Sequence, residues 1–156
     1  SLARKLVFER MGLSIDSMFP CTGKTVAEEL LVPTRIYIRS IQNLLKDYTI
    51  NGIAHITGGG LLENVPRVLP KGCRATIHLS RWERPVLFDV LRDAGNVERN
   101  EMYRTFNMGI GMVLAVSEHD AEDMLDRLNG LGEQAWVIGE ITSCPEESER
   151  VQLLEG

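Results

Sequence analysis

The sequence is poor in several features that would classify it at once. Its 156 residues include only three cysteines, Cys21, Cys73 and Cys144, an odd number at wide spacing. That argues against a disulfide framework and fits reduced thiols in a cytoplasm. No Asn-x-Ser/Thr glycosylation acceptor occurs. No apolar run approaches the roughly 20 residues that a membrane-spanning helix needs. The opening Ser1-Leu2-Ala3-Arg4-Lys5-Leu6 lacks the long apolar stretch and cleavage site of a signal peptide. A positive surplus is also missing: 17 basic against 22 acidic residues leave a net charge of −5. This argues against a non-specific nucleic-acid binder, but not against an anionic small molecule, because a phosphate responds to local donors. His55, His78 and His119 share no metal-ligand spacing with one another or with the cysteines, so no metal site is expected. No nucleophile, base and orienting group can be assembled into a triad, and individual catalytic residues stay unassigned.

What is present is ordinary globular material. The chain is 44% apolar and 25% charged, at the averages of folded domains, and its length suits a single domain over 1–156. Helical periodicity begins at once with Leu2, Leu6 and Val7. It reads either as an element severed from something upstream or as a protein that begins with a helix. After a loop through Pro20, Thr25-Val26-Ala27-Glu28 has capping-box spacing and opens a short helix that Pro33 ends. Ile38, Ile41, Leu44 and Leu45 mark an amphipathic helix. A buried strand is expected over Ile53–Thr57, then a short helix over Leu61–Val68 with Pro66 as a kink. Ala75–Leu79 is strand-like, and Pro85 suits the first turn of a helix carrying Val86, Leu87, Val90 and Leu91. Glu98–Phe106 predicts a helical turn, Gly111–Val116 a strand, and Ser117 the cap of a helix with Ala121, Met124, Leu125 and Leu128 inward. Ala135–Thr142 and Val151–Leu154 predict two further strands, the last at an edge. The expected fold is α+β: a mixed β-sheet with helices packed on it, partly ferredoxin-like (split βαβ).

The segment most suggestive of chemistry is Ile53-Ala54-His55-Ile56-Thr57-Gly58-Gly59-Gly60, continuing through Glu63, Asn64 and Arg67. A strand that delivers the backbone to glycines and then to a helix start exposes unpaired N–H donors, a site suited to a phosphate. Thr57 can add a hydroxyl, Asn64 and Arg67 can reach the same anion, and His55 is a possible donor. The same succession also serves simply to pack a helix on a sheet, and the residues leave both readings open. A second candidate is Glu101–Gly109, where Asn107 and Gly109 can shape a cleft wall just before a strand. Its alternative is a connector whose Phe106 and Met108 fill the core. Two decoys fall away. Gly23-Lys24-Thr25 is no P-loop, because the first glycine would fall at Met18. Gly109-Ile110-Gly111 is no dinucleotide fingerprint, because Leu114 stands at the third glycine.

Taken in series, these segments resemble one family. His55-Ile56-Thr57-Gly58-Gly59-Gly60 with Glu63-Asn64 and Pro66-Arg67-Val68-Leu69-Pro70 is similar to the glycine-rich signature of aminoimidazole ribonucleotide synthetases. Glu101–Met112 resembles that family's second signature, and Leu31–Tyr37, Gly95-Asn96-Val97 and Ala135–Gly139 resemble further stretches, in order along nearly the whole chain. The resemblance implies the carboxy-terminal, substrate-side domain of a two-domain enzyme, with the amino-terminal ATP-binding domain absent from this sequence. It implies a cytoplasmic homodimer in purine biosynthesis, with ATP and Mg2+ held mainly by that other domain, no nucleic-acid partner and no membrane partner. The implied reaction converts formylglycinamidine ribonucleotide and ATP to aminoimidazole ribonucleotide, ADP and phosphate. The isolated domain is expected to be inactive. It further implies that Thr57–Gly60 face a phosphate of substrate or nucleotide. Selenophosphate synthetases, thiamine monophosphate kinases and formylglycinamidine ribonucleotide synthetases resemble the same fold. The Glu63-Asn64-x-Pro66-Arg67 continuation favours the cyclase over them and over a non-catalytic association module.

Overall fold

The computed structural model describes residues 2–155. The chain opens with a short helix, α1 (Leu2–Arg4), that widens into a π-helical stretch, Lys5–Arg10, burying Leu6 and Val7. The capping box then forms as its spacing predicts. The Glu28 N–H donates to Thr25 Oγ1 at 3.2 Å and the Thr25 N–H to Glu28 Oε2 at 2.8 Å, starting α2 (Val26–Leu30). An extended stretch carrying Pro33 leads to α3 (Ile38–Leu44). Next come β1 (Ile50–His55), α4 (Gly60–Asn64) with a 3-10 continuation over Val65–Val68, and β2 (Cys73–His78). The helix switches to the tighter winding where Pro66 cannot donate an N–H.

The second half runs α5 (Val86–Gly95), α6 (Arg99–Thr105), β3 (Met112–Val116), a 3-10 turn at Glu118–Asp120, α7 (Ala121–Gly130), β4 (Gly139–Ser143) and β5 (Val151–Leu154). Helices and strands pack around a core that includes Val7, Phe19, Val26, Leu61, Leu91, Met102 and Tyr103. The fold is therefore α+β with helices on sheet.

The strands, however, divide between two sheets where one is expected. β1 pairs antiparallel with β3, and β2 lies between antiparallel β4 and parallel β5. The parallel pair β2–β5 is directly adjacent, so no strand is inserted between its members as a split βαβ unit requires. β5 is an edge strand, as its polar approach suggests. β1 is only half-buried rather than buried, with Ile53 39% exposed, because β3 is its one strand neighbour. Pairing along β4 starts later than the apolar run Ala135–Ile138: the first bond of its ladder is His78 N–H to the Ile138 carbonyl, at 2.8 Å.

Candidate functional site

β1 ends at His55, and the chain turns through Thr57, Gly58 and Gly59 into α4. The turn is tight. The Gly60 N–H donates back to the Thr57 carbonyl at 2.9 Å, and Gly59 and Gly60 take positive φ of 101° and 54°, a conformation that glycine adopts without steric cost. Gly60 also lets two backbones meet. A β-carbon there would lie 2.7 Å from the Phe106 carbonyl oxygen and would overlap that of Tyr103. Gly58 differs, being exposed, without positive φ, and with nothing within 4 Å of the place its β-carbon would take.

The loop's donors therefore split. The Gly60 N–H is consumed internally, whereas the N–H groups of Gly58 and Gly59 have no acceptor among the described residues. Asn64 is turned away from any external anion. Its side chain is buried, and its Nδ2 donates to the carbonyls of Gly60, Gly58 and Thr57 at 2.9, 3.2 and 3.3 Å. It clamps the loop from within. Beside the open amides stands Glu63, close enough that a β-carbon on Gly59 would lie 2.9 Å from its Oε2. The Glu63 carboxylate pairs with Arg104 at 3.7 Å, which offsets its charge next to the loop.

The second motif adjoins this one. The Ile56 N–H donates to the Gly111 carbonyl at 2.9 Å, and His55 pairs with Met112 across the two-stranded sheet. Asn107 folds its own loop: Oδ1 accepts the Gly109 N–H at 3.0 Å, and its carbonyl accepts the Ile110 N–H at 2.9 Å. Met108 is buried with φ of 52°, and its carbonyl accepts from Trp82 Nε1 at 2.9 Å. Gly109, at φ 95°, passes so close to Pro85 that a β-carbon would sit 2.7 Å from Cδ. Phe106 packs on Phe88 with ring centroids 5.8 Å apart. This stretch thus fills core space and borders the glycine loop at once.

His55, Thr57–Gly60, Asn64, Asn107 and Gly109 are brought into one neighbourhood. Arg67 is not tied to it; it is exposed on the 3-10 turn and makes no ion pair among the described residues. Side-chain chemistry alone did not single out Arg104 or Tyr37. The Tyr37 ring stands edge-on to His55 with centroids 6.2 Å apart. Its phenol is pushed up, first by burial and then by Glu133, with Arg35 opposing. Below, buried Tyr103 accepts from Arg84 Nη1 at 2.8 Å, and that bond holds the guanidinium pKa above its ordinary value. A cavity of about 810 Å³ between the two sheets is lined by Tyr37, Gly109, Gly111, Ile77 and Leu128 among others, but not by the glycine loop, of which Thr57 and Gly58 are exposed, Gly59 is half-buried and Gly60 is buried. Among the described residues no three His, Cys, Asp or Glu side chains converge to hold a metal ion.

The family model for the AIR synthase related protein, C-terminal domain, matches residues 5–152. The chain belongs to that family. Among AIR synthase related C-terminal domains, it is 66% identical, over 99% of its length, to 44% of the phosphoribosylformylglycinamidine cyclo-ligase of Trichlorobacter lovleyi. It is 60% identical, with the same coverage of 99% and 44%, to the protein of that name from Geobacter sulfurreducens. The chain thus spans less than half the length of these curated relatives. A solved structure, the hydrogenase maturation protein HypE of E. coli, is similar at a TM-score of 0.56 and 23% identity, covering 76% of this chain and 35% of that one. That likeness concerns the fold alone.

Proposed function

We propose that this chain serves as the carboxy-terminal, substrate-side domain of a cyclo-ligase that closes the imidazole ring of aminoimidazole ribonucleotide from formylglycinamidine ribonucleotide and ATP. The observation that carries the reading is the 66% identity, over 99% of the chain, to part of a protein named for that activity. Two local features support it. The Gly58 and Gly59 amides have no acceptor among the described residues, at a turn after β1 where Gly58 is exposed and Gly59 half-buried, and the family's second signature borders them through Ile56 and Gly111.

In this reading the loop amides receive a phosphate, with the Thr57 hydroxyl and His55 as further donors. Asn64 fixes the loop's shape instead of touching the ligand. Asn107 and Gly109 hold the neighbouring wall. Fixed donors aimed at a phosphate stabilise charge without reorganising, and ring closure, in which the amidine nitrogen attacks the formyl carbon and the formyl oxygen, phosphorylated by ATP, leaves as phosphate, needs such positioning more than a protein nucleophile. ATP is the second substrate. We assign the Mg2+ ligands to the amino-terminal domain, since no three His, Cys, Asp or Glu side chains converge among the described residues. That domain is the partner we assign to the apolar run around Pro33, where Leu31 and Ile36 are 77% and 81% exposed, a surface that isolated domains rarely leave uncovered. In the cell we place the enzyme in the cytoplasm as a homodimer, and we assign the 156 residues alone no turnover, since productive geometry needs both walls of the cleft.

The test is turnover by the full-length protein that carries this domain, with formylglycinamidine ribonucleotide and ATP, in the parent and in Gly58→Leu. Gly58 is the informative position because a β-carbon there has no atom within 4 Å and φ is not positive. Gly59→Val would instead add strain at φ 101° and a clash with Glu63. Gly58→Leu is expected to lower turnover at least tenfold with an unchanged unfolding midpoint. A parental rate in Gly58→Leu would remove the loop from the site. Failure of the parent to form aminoimidazole ribonucleotide would remove the function itself.

A further inference from the structure

His55 ends an edge of β1 with its side chain exposed, and its one described side-chain partner is the ring of Tyr37, set at 69° to the imidazole. Tyr37 itself is held on several sides. Its hydroxyl rests on Gly111, where a β-carbon would overlap it and would lie 2.9 Å from ring Cζ. Its carbonyl accepts the Ile41 N–H at 3.0 Å, anchoring the start of α3. The residues flanking it are latched to one carboxylate. Arg35 Nε meets Glu133 Oε2 at 2.7 Å, and Ser40 Oγ donates to Glu133 Oε1 at 2.5 Å. Arg35 Nη2 also donates to the Gly132 carbonyl at 2.8 Å. Glu133 is only 12% exposed in its side chain, so these bonds lie partly out of water.

We propose that Tyr37 is a positioning residue for His55, its latched ring holding the imidazole at the rim of the glycine loop. The proposal rests on the reading of that loop as an anion site. Gly111 is the hinge pin of the arrangement. It receives the Tyr37 hydroxyl on its α-carbon face, while its carbonyl accepts the N–H of Ile56, the residue next to His55. An exposed histidine otherwise samples several rotamers, and an edge-on aromatic contact is the kind of interaction that selects one.

The experiment compares Tyr37→Phe, Tyr37→Leu, Gly111→Ala, His55→Gln and the pair Tyr37→Leu/His55→Gln in the full-length enzyme, using kcat and KM for formylglycinamidine ribonucleotide. Tyr37→Leu is expected to lower kcat about three- to tenfold with little change in KM, the size of effect one aromatic edge contact supports. Tyr37→Phe keeps the ring and should retain most of the rate. Gly111→Ala leaves both side chains in the protein but displaces the tyrosine, and should match Tyr37→Leu; it also serves if the leucine variant folds poorly. The pair should be no slower than His55→Gln alone, because a residue acting through His55 has nothing to position once the imidazole is gone. Penalties that multiply in the pair would overturn the proposal, as would a parental kcat in Tyr37→Leu beside a slow His55→Gln. Parental turnover in His55→Gln would instead bring down the donor role given to His55, and the positioning role with it.

Discussion

Gly60 and Gly58 stand two residues apart in one loop, yet the structure assigns them opposite sensitivities. At Gly60, alanine would have to hold φ of 54°, a left-handed conformation that costs an L-residue roughly 1–2 kcal/mol. Its β-carbon would also meet the Phe106 oxygen at 2.7 Å and overlap that of Tyr103, both backbone atoms, so α4 would have to move off α6. Forced overpacking of this kind costs about 1–3 kcal/mol. Together the two effects amount to roughly 2–5 kcal/mol, a large share of a domain stability of about 5–15 kcal/mol. At Gly58 neither cost applies, and alanine should stay within about 0.5 kcal/mol of the parent. Equilibrium urea unfolding followed by tryptophan fluorescence checks both, since Trp82 is buried beside the Met108 carbonyl. With an unchanged slope of about 2 kcal/mol per molar, Gly60→Ala should lower the midpoint by roughly 1–2.5 M. Equal midpoints for the two variants would refute the assignment of the close backbone approach to Gly60.

Asn64→Asp should be worse than Asn64→Ala, because it sets a carboxylate against three carbonyl oxygens now served by Nδ2; a buried unpaired charge costs about 3–5 kcal/mol, and a thermal midpoint ordered the other way would contradict the clamp. Arg150 donates to the carbonyls of Cys73, Leu69 and Pro70, each at 2.9 Å, so Arg150→Lys should lose on the order of 2 kcal/mol in the same assay, since an ammonium cannot span them as a planar fork does. Glu28's carboxyl is held below the usual carboxylate range, chiefly by the Thr25 backbone N–H. The capping box therefore adds stability above that range, which fades as pH falls through the lowered native value. Glu28→Gln should flatten this acid-side slope of the thermal midpoint, and an unchanged slope would dissociate the box from it.

What could be read without coordinates follows the range of the interactions involved. The Thr25–Glu28 box, the turn at Pro66 and the glycine loop depend on neighbours a few residues away, and they form where the residue types suggest. The division into two sheets depends on partners such as Ala75 and Val151, whose pairing no local pattern encodes. The candidate site shows the same boundary. Gly58 and Gly59 amides without an acceptor among the described residues are what strand, glycine and helix in succession suggest. The inward turn of Asn64 was not legible, because its amide could equally have faced solvent until the loop closed over it. Tyr37 carried only a weak signal, an aromatic after an apolar extended run, and its meaning depends on Gly111 arriving from far along the chain.

The placement of β5 bears on how this polypeptide is made. β2 takes one of its two neighbours from residues 151–154, and Arg150, just before them, ties the Leu69–Pro70 bend in place. During synthesis β2 therefore waits with one edge bare until that late stretch has left the ribosome. A loop this long is slow to close, and a bare apolar edge is where nascent chains stick to one another. Yield from a cell should accordingly depend on chaperone supply and growth temperature more than the finished domain's resistance to denaturant would suggest.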